Sequence, residues 1–124
     1  MTRSLPVDAG RRGVAHLHRR LAWLILAGAT SSLTAAPLPS YELILRDGHF
    51  TPAVLEVPAG QRFKIILKNQ GEGPAEFEST PLRVEKVLSP GVTTFVVIHP
   101  LRPGRYPFFD EFNPQLPEGA ILAH

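Results

Sequence analysis

From residue 41 onward, apolar and polar side chains alternate along the chain with a period of two. In YELILR (41–46), Tyr41, Leu43 and Leu45 share one face and Glu42, Ile44 and Arg46 the other. RFKIILKN (62–69) sets Phe63, Ile65 and Leu67 against Arg62, Lys64 and Lys68. That period is the signature of strands with one buried face. The same reasoning predicts strands at 55–57, 75–79, 83–88, 92–98, 104–109 and 119–124. Turn signals separate them: DGH, PAG, NQGEGP, SPG, HPLRPG and NPQLPEG. No 11-residue window in this part of the chain carries a helical period. Seven or eight short, evenly spaced strands predict an all-β antiparallel sandwich. LRPGRY (101–106) further predicts a tyrosine corner, the Tyr106 hydroxyl folding back onto nearby backbone.

The first 36 residues have a different character. Arg3, Arg11, Arg12, Arg19 and Arg20 stand against one acid, Asp8, and the apolar run LAWLILAGA (21–29) follows, then TSSLTAA. This is the order of a secretory signal, with cleavage expected after Ala36. The apolar run is far shorter than the roughly 20 residues that span a bilayer, so retention as an N-terminal anchor is the secondary reading. The chain therefore divides into a signal peptide, 1–36, and one domain, 37–124, expected in the periplasm. Of 13 Lys and Arg, five lie in the leader, and of 11 Asp and Glu, one does; the domain thus carries eight bases and ten acids, a net −2. The basic pI of the whole chain belongs to its leader, and nothing supports nucleic-acid binding.

There is no cysteine, and the single methionine is Met1. A disulfide, a thiolate nucleophile, an iron–sulfur cluster and a Cys-ligated copper are all excluded. No phosphate loop, GxSxG elbow or HExxH motif is present. His49, His99 and His124 are isolated in sequence, which argues against an imidazole metal site, and His49 falls in the expected DGH turn.

VPAGQRFKIILKN, EFES (76–79), VEKV (84–87), PG (90–91), PLRPGRYPFFDEFN (100–113) and EGAILA (118–123) together carry a resemblance. The chain resembles the cupredoxin fold, a Greek-key β-sandwich. It is more closely similar to cupredoxin-like periplasmic proteins of bacterial iron-uptake systems, which work beside a periplasmic iron-binding protein and an inner-membrane iron permease. The resemblance implies an iron or copper ion. It also implies that the segment around Glu76 and the loop around Asp110 meet at one end of the sandwich. Blue-copper members use Cys, His and Met in these places; here stand Glu76 and Glu78 on the earlier strand and Asp110, Glu111 and Asn113 in the later loop. A His₂Cys electron-transfer site cannot be assembled from them.

The candidate metal ligands are accordingly Glu76, Glu78, Glu85, Asp110 and Glu111. Glu76 and Glu78 are two apart on a strand, so they share a face with Cα atoms about 7 Å apart. Converging carboxylates repel one another and need either a cation or raised pKa values. An all-oxygen set suits hard cations. Phe77, Phe108, Phe109 and Phe112 would shield such a site from water and strengthen its electrostatics. Alternatively, Asp110 and Glu111 hydrogen-bond loop amides and shape the turn, and the phenylalanines are ordinary packing. Two functions follow. One is a metal-binding accessory of ferrous-iron import, with Fe²⁺ oxidation or electron transfer as a minor branch. The other is a metal-free module that docks a periplasmic or membrane partner through its aromatic loop.

Overall fold

The computed structural model describes residues 1–4, 28, 31–32 and 35–124. Apart from those positions, the expected leader lies outside the described residues. All the strands belong to one compact unit, residues 35–124. They are β1 (Ser40–Arg46), β2 (His49–Thr51), β3 (Val54–Val57), β4 (Phe63–Asn69), β5 (Ala75–Ser79), β6 (Val84–Leu88), β7 (Thr93–Ile98), β8 (Gly104–Phe108) and β9 (Gly119–Ala123). One sheet has the order β2-β1-β4-β7, a second β3-β9-β8, and β5-β6 form a hairpin. A bridge from Glu78 to Phe109 ties that hairpin to the end of β8.

The all-β sandwich forms as the periodicity predicts, with two differences. Among the described residues there are nine strands, because His49 does not sit in a turn: the turn is Asp47-Gly48 alone, and Arg46 pairs with His49 to open β2. Both turn residues have positive φ, 50° and 82°, as an Asp-Gly type I′ hairpin demands. Nor are the sheets wholly antiparallel, since β1 runs parallel to β4 and β3 parallel to β9. Alternation along one strand reports which face is buried and carries no information about the direction of its neighbour.

Leu43, Leu45, Phe63, Ile65 and Leu67 fill the core from the first sheet, against Val57, Phe77, Leu88, Phe108 and Ile121. Phe108 meets Phe50 edge-on at 4.8 Å between ring centroids and Phe77 at 4.9 Å. The tyrosine corner is present: Tyr106 Oη donates to the Arg102 carbonyl at 2.8 Å. No helix among the described residues is long and apolar enough to cross a membrane.

Candidate functional site

Strand parity decides where the acids of β5 point. Phe77 faces inward and is fully buried, so Glu76 and Glu78 face outward on the same side of the hairpin. Cross-strand pairing sets Glu85 directly opposite Glu78, and Val87 opposite Glu76. Two like charges in register on one face destabilise a bare hairpin. On the other side, Phe109 lies beside Glu78, held by a mutual pair of backbone hydrogen bonds of 2.9 and 3.0 Å.

The loop after β8 then closes over β5. Asp110 Oδ1 accepts the backbone N–H of Glu76 at 3.2 Å and that of Phe112 at 3.0 Å. Its Oδ2 accepts from Asn113 Nδ2 at 3.3 Å, and its carbonyl from the Asn113 N–H at 2.9 Å. A carboxylate that takes up several N–H donors organises the backbone around it. Asp110 is only 2% exposed, and so is Glu76 beneath the loop. Gly48 supports the same loop from beneath: a Cβ at this position would fall 2.5 Å from both Asn113 Cβ and Leu116 Cδ1.

The result is a compact group. Glu76, Glu78 and Glu111 can each offer a carboxylate oxygen, all within 4.8 Å of one another. Glu85 hydrogen-bonds with Glu76 but falls outside that group of three. Asp110 also falls outside it, with both oxygens engaged by the loop. Of five expected ligands, the fold thus gathers three, sets one alongside, and uses one as scaffold. The phenylalanines divide as well. Phe77 and Phe108 belong to the core, while Phe109 is half-buried and Phe112 is 51% exposed at the loop tip. The expected aromatic shield is therefore confined to the two latter rings at most.

Electrostatics follow from burial without a counter-ion. Burial pushes the Glu76 carboxyl up to about 7, helped by its hydrogen bond to Glu85 and by the charges of Glu78, Glu111 and Glu85. Glu78 is raised too, first by loss of solvent and then by Glu111 and Glu85. Among the described residues the ion pairs are Lys68–Glu42 and His124–Glu56, neither in this group. A protonated Glu76 can donate to Glu85, which satisfies the pair without a metal; a cation in its place would satisfy three carboxylates together. The donor set is all oxygen and fits a hard cation, whereas a thiolate-bound copper does not fit a chain without cysteine.

Asn69 is a positioning residue that the sequence did not single out. Buried at 2% exposure, its Nδ2 donates to the carbonyls of Gly73 and Leu88, and its Oδ1 accepts from the Gly71 N–H. It fixes the turn that delivers β5 and joins it to the end of β6. The turn signal NQGEG was legible, but not which residue would hold it.

A sequence profile described as a cupredoxin-like domain matches residues 19–123. An uncharacterized protein of Rickettsia prowazekii (strain Madrid E) is 30% identical over 83 residues, covering 67% of this chain and 66% of that protein. Among solved structures, the purple cupredoxin from Nitrosopumilus maritimus is 17% identical, with a TM-score of 0.52 over 68% of this chain and 99% of its own. The metal-binding domain of the Streptococcus pneumoniae D39 Cu(I)-exporting P-type ATPase CopA, solved with Cu(I), is 13% identical, with a TM-score of 0.60 over 68% and 84%. The periplasmic domain of cytochrome oxidase subunit II of Bradyrhizobium japonicum is 10% identical, with a TM-score of 0.59 over 73% and 86%. At these identities the solved structures establish the fold.

Proposed function

The chain belongs to the cupredoxin-like domain family, and from that premise we propose that it is an exported metal-binding accessory protein of a ferrous-iron uptake system. It binds iron, or alternatively copper, through carboxylates, and works beside a periplasmic iron-binding protein and an inner-membrane permease. One observation carries the metal role: a buried carboxyl, Glu76, whose oxygen lies within 4.8 Å of oxygens from Glu78 and Glu111, without a basic partner among the described residues. The resemblance to iron-uptake proteins supports the choice of system. Solved relatives such as the CopA domain with Cu(I) support metal handling on this fold.

Each residue has a part. Glu76, Glu78 and Glu111 bind the cation; Glu85 stands ready beside Glu76 and takes its hydrogen bond when the site holds a proton instead. Asp110 carries no ligand role but keeps the loop with Glu111 against β5. Binding releases the proton held by Glu76, since a ligating carboxyl must be ionised. A bound iron or copper ion would supply any redox chemistry, and hard oxygen donors favour Fe³⁺ over Cu⁺.

Calorimetric titration of the chain with Fe²⁺, Fe³⁺, Cu²⁺ and Mn²⁺ tests this. We expect binding below millimolar concentration, lost in a Glu76→Gln, Glu111→Gln double variant. Unchanged binding by that variant removes the site assignment. No binding by any ion leaves the second reading, a metal-free docking module, which the 51% exposure of Phe112 favours.

A further inference from the structure

β6 and β7 are consecutive strands joined by the Ser89–Val92 turn, yet they do not pair. β6 bonds only to β5, and β7 closes the four-stranded sheet at its outer position beside β4. Among the described residues, each strand therefore leaves one edge open, with every second N–H and C=O turned away from its partner. The two strands nonetheless lie close to one another, each at the margin of its own sheet, with a seam between them. Where the strands part, near Val84 and Ile98, the seam widens into a groove of about 290 Å3.

The groove is apolar along its walls, built from Leu82, Val84, Val97, Leu101 and Tyr106. Its charged lining is Arg102, beside His99, and no Asp or Glu takes part. Lys86 extends the basic side along the seam. It pairs with Phe77 in register and so shares the inner face of β6 with Val84, yet it is exposed because no strand covers that edge. On the outer face of β7, Phe95 is 56% exposed, with Lys64 Nζ 5.3 Å from its ring centroid. The acid cluster lies on the opposite face of the same hairpin.

We propose that this seam is a docking groove for an extended, apolar, acid-flanked segment of a partner protein, which adds to the β7 edge as a strand. Three features specify that occupant. Open strand edges offer backbone hydrogen bonds only to an extended chain. Walls of aliphatic and aromatic side chains take alternate apolar residues of that chain. Arg102 in the groove and Lys86, exposed two residues along from the groove-lining Val84, with no acid in the lining, select carboxylates at its flanks. The site is independent of the metal role, since it shares no ligand with it.

The test uses a synthetic peptide of alternating valine and threonine with two aspartates at each end, and a second with lysines at those ends. Each is titrated into the isotopically labelled chain and followed by backbone amide shifts. The acidic peptide should bind at least tenfold more tightly, moving amides of β6 and of residues 95–99. A Lys86→Glu, Arg102→Glu double variant should reverse the preference while leaving the free spectrum otherwise unchanged. Equal affinity for both peptides, or shifts centred away from the seam, overturns the proposal. So does a peptide-free dilution series that moves the same amides, because a second copy would then be the occupant.

Discussion

Glu76 joins burial and like charge in one side chain. Local alternation places it outward, which predicts exposure, but the loop led by Asp110 covers it and leaves it 2% exposed. Its carboxyl, pushed up to about 7 mainly by burial, has consequences for stability. Between the ordinary value of 4.5 and about 7, the folded protein holds a proton that the unfolded chain has released. Stability is therefore full below that window, falls as pH rises through it, and is level above it. Glu78, raised in the same direction, adds to the slope. Glu76→Gln should flatten this dependence and leave the metal-free variant more stable than the parent at pH 8, by the order of 1–2 kcal/mol. Urea denaturation at pH 5 and pH 8 measures it. A variant with the parent's slope would mean that Glu76 is not the titrating group.

At the scale of the element, the 109–116 loop decides the site, and its placement depends on residues outside it. Asp110 fastens the loop to the Glu76 amide, while the Asp47-Gly48 turn supports it from beneath. Gly48 has φ +82° and no room for a side chain, its virtual Cβ being 2.5 Å from Asn113. Gly48→Ala should cost roughly 1–3 kcal/mol through backbone strain and displacement of the loop. Thermal denaturation checks the cost, and cation titration should show weakened binding although Gly48 touches no ligand. Retained affinity would show that Glu111 does not need the loop in this position. Two of the elements were legible in different degrees. β5 and its boundaries, 75–79, follow from alternation. β2 was missed because its three residues are too few to show a period, although the Asp-Gly pair before it signals a hairpin.

For the whole molecule, the acid group is a cluster of carboxyls without a basic partner among the described residues, in a domain without disulfides. A cation that binds only the folded state stabilises it by mass action, about 2.7 kcal/mol at a hundredfold excess over Kd. For a domain of this size that raises the melting midpoint by roughly 10–20 °C. The shift should be larger at pH 8 than at pH 5, because at the lower pH a proton on Glu76 competes with the ion. Differential scanning calorimetry with and without Fe³⁺ or Mn²⁺ at both pH values measures it. An equal shift at the two pH values would place the ion elsewhere on the surface.

The sequence by itself determined the all-β class, eight of the nine strands, the tyrosine corner, and the exclusion of a cysteine-ligated copper. These depend on local spacing or on composition, which the chain carries before it folds. Only the tertiary structure decided the parallel pairings, the open seam between β6 and β7, and the fate of each acid. Glu111 joins Glu76 and Glu78 while its neighbour Asp110 spends both oxygens on amides, as the turn-shaping alternative expected for Asp110 but also, wrongly, for Glu111. The reason is physical: a carboxylate's role depends on which donors and charges reach it, and the contact that joins the Asp110 loop to β5 spans 34 residues of chain.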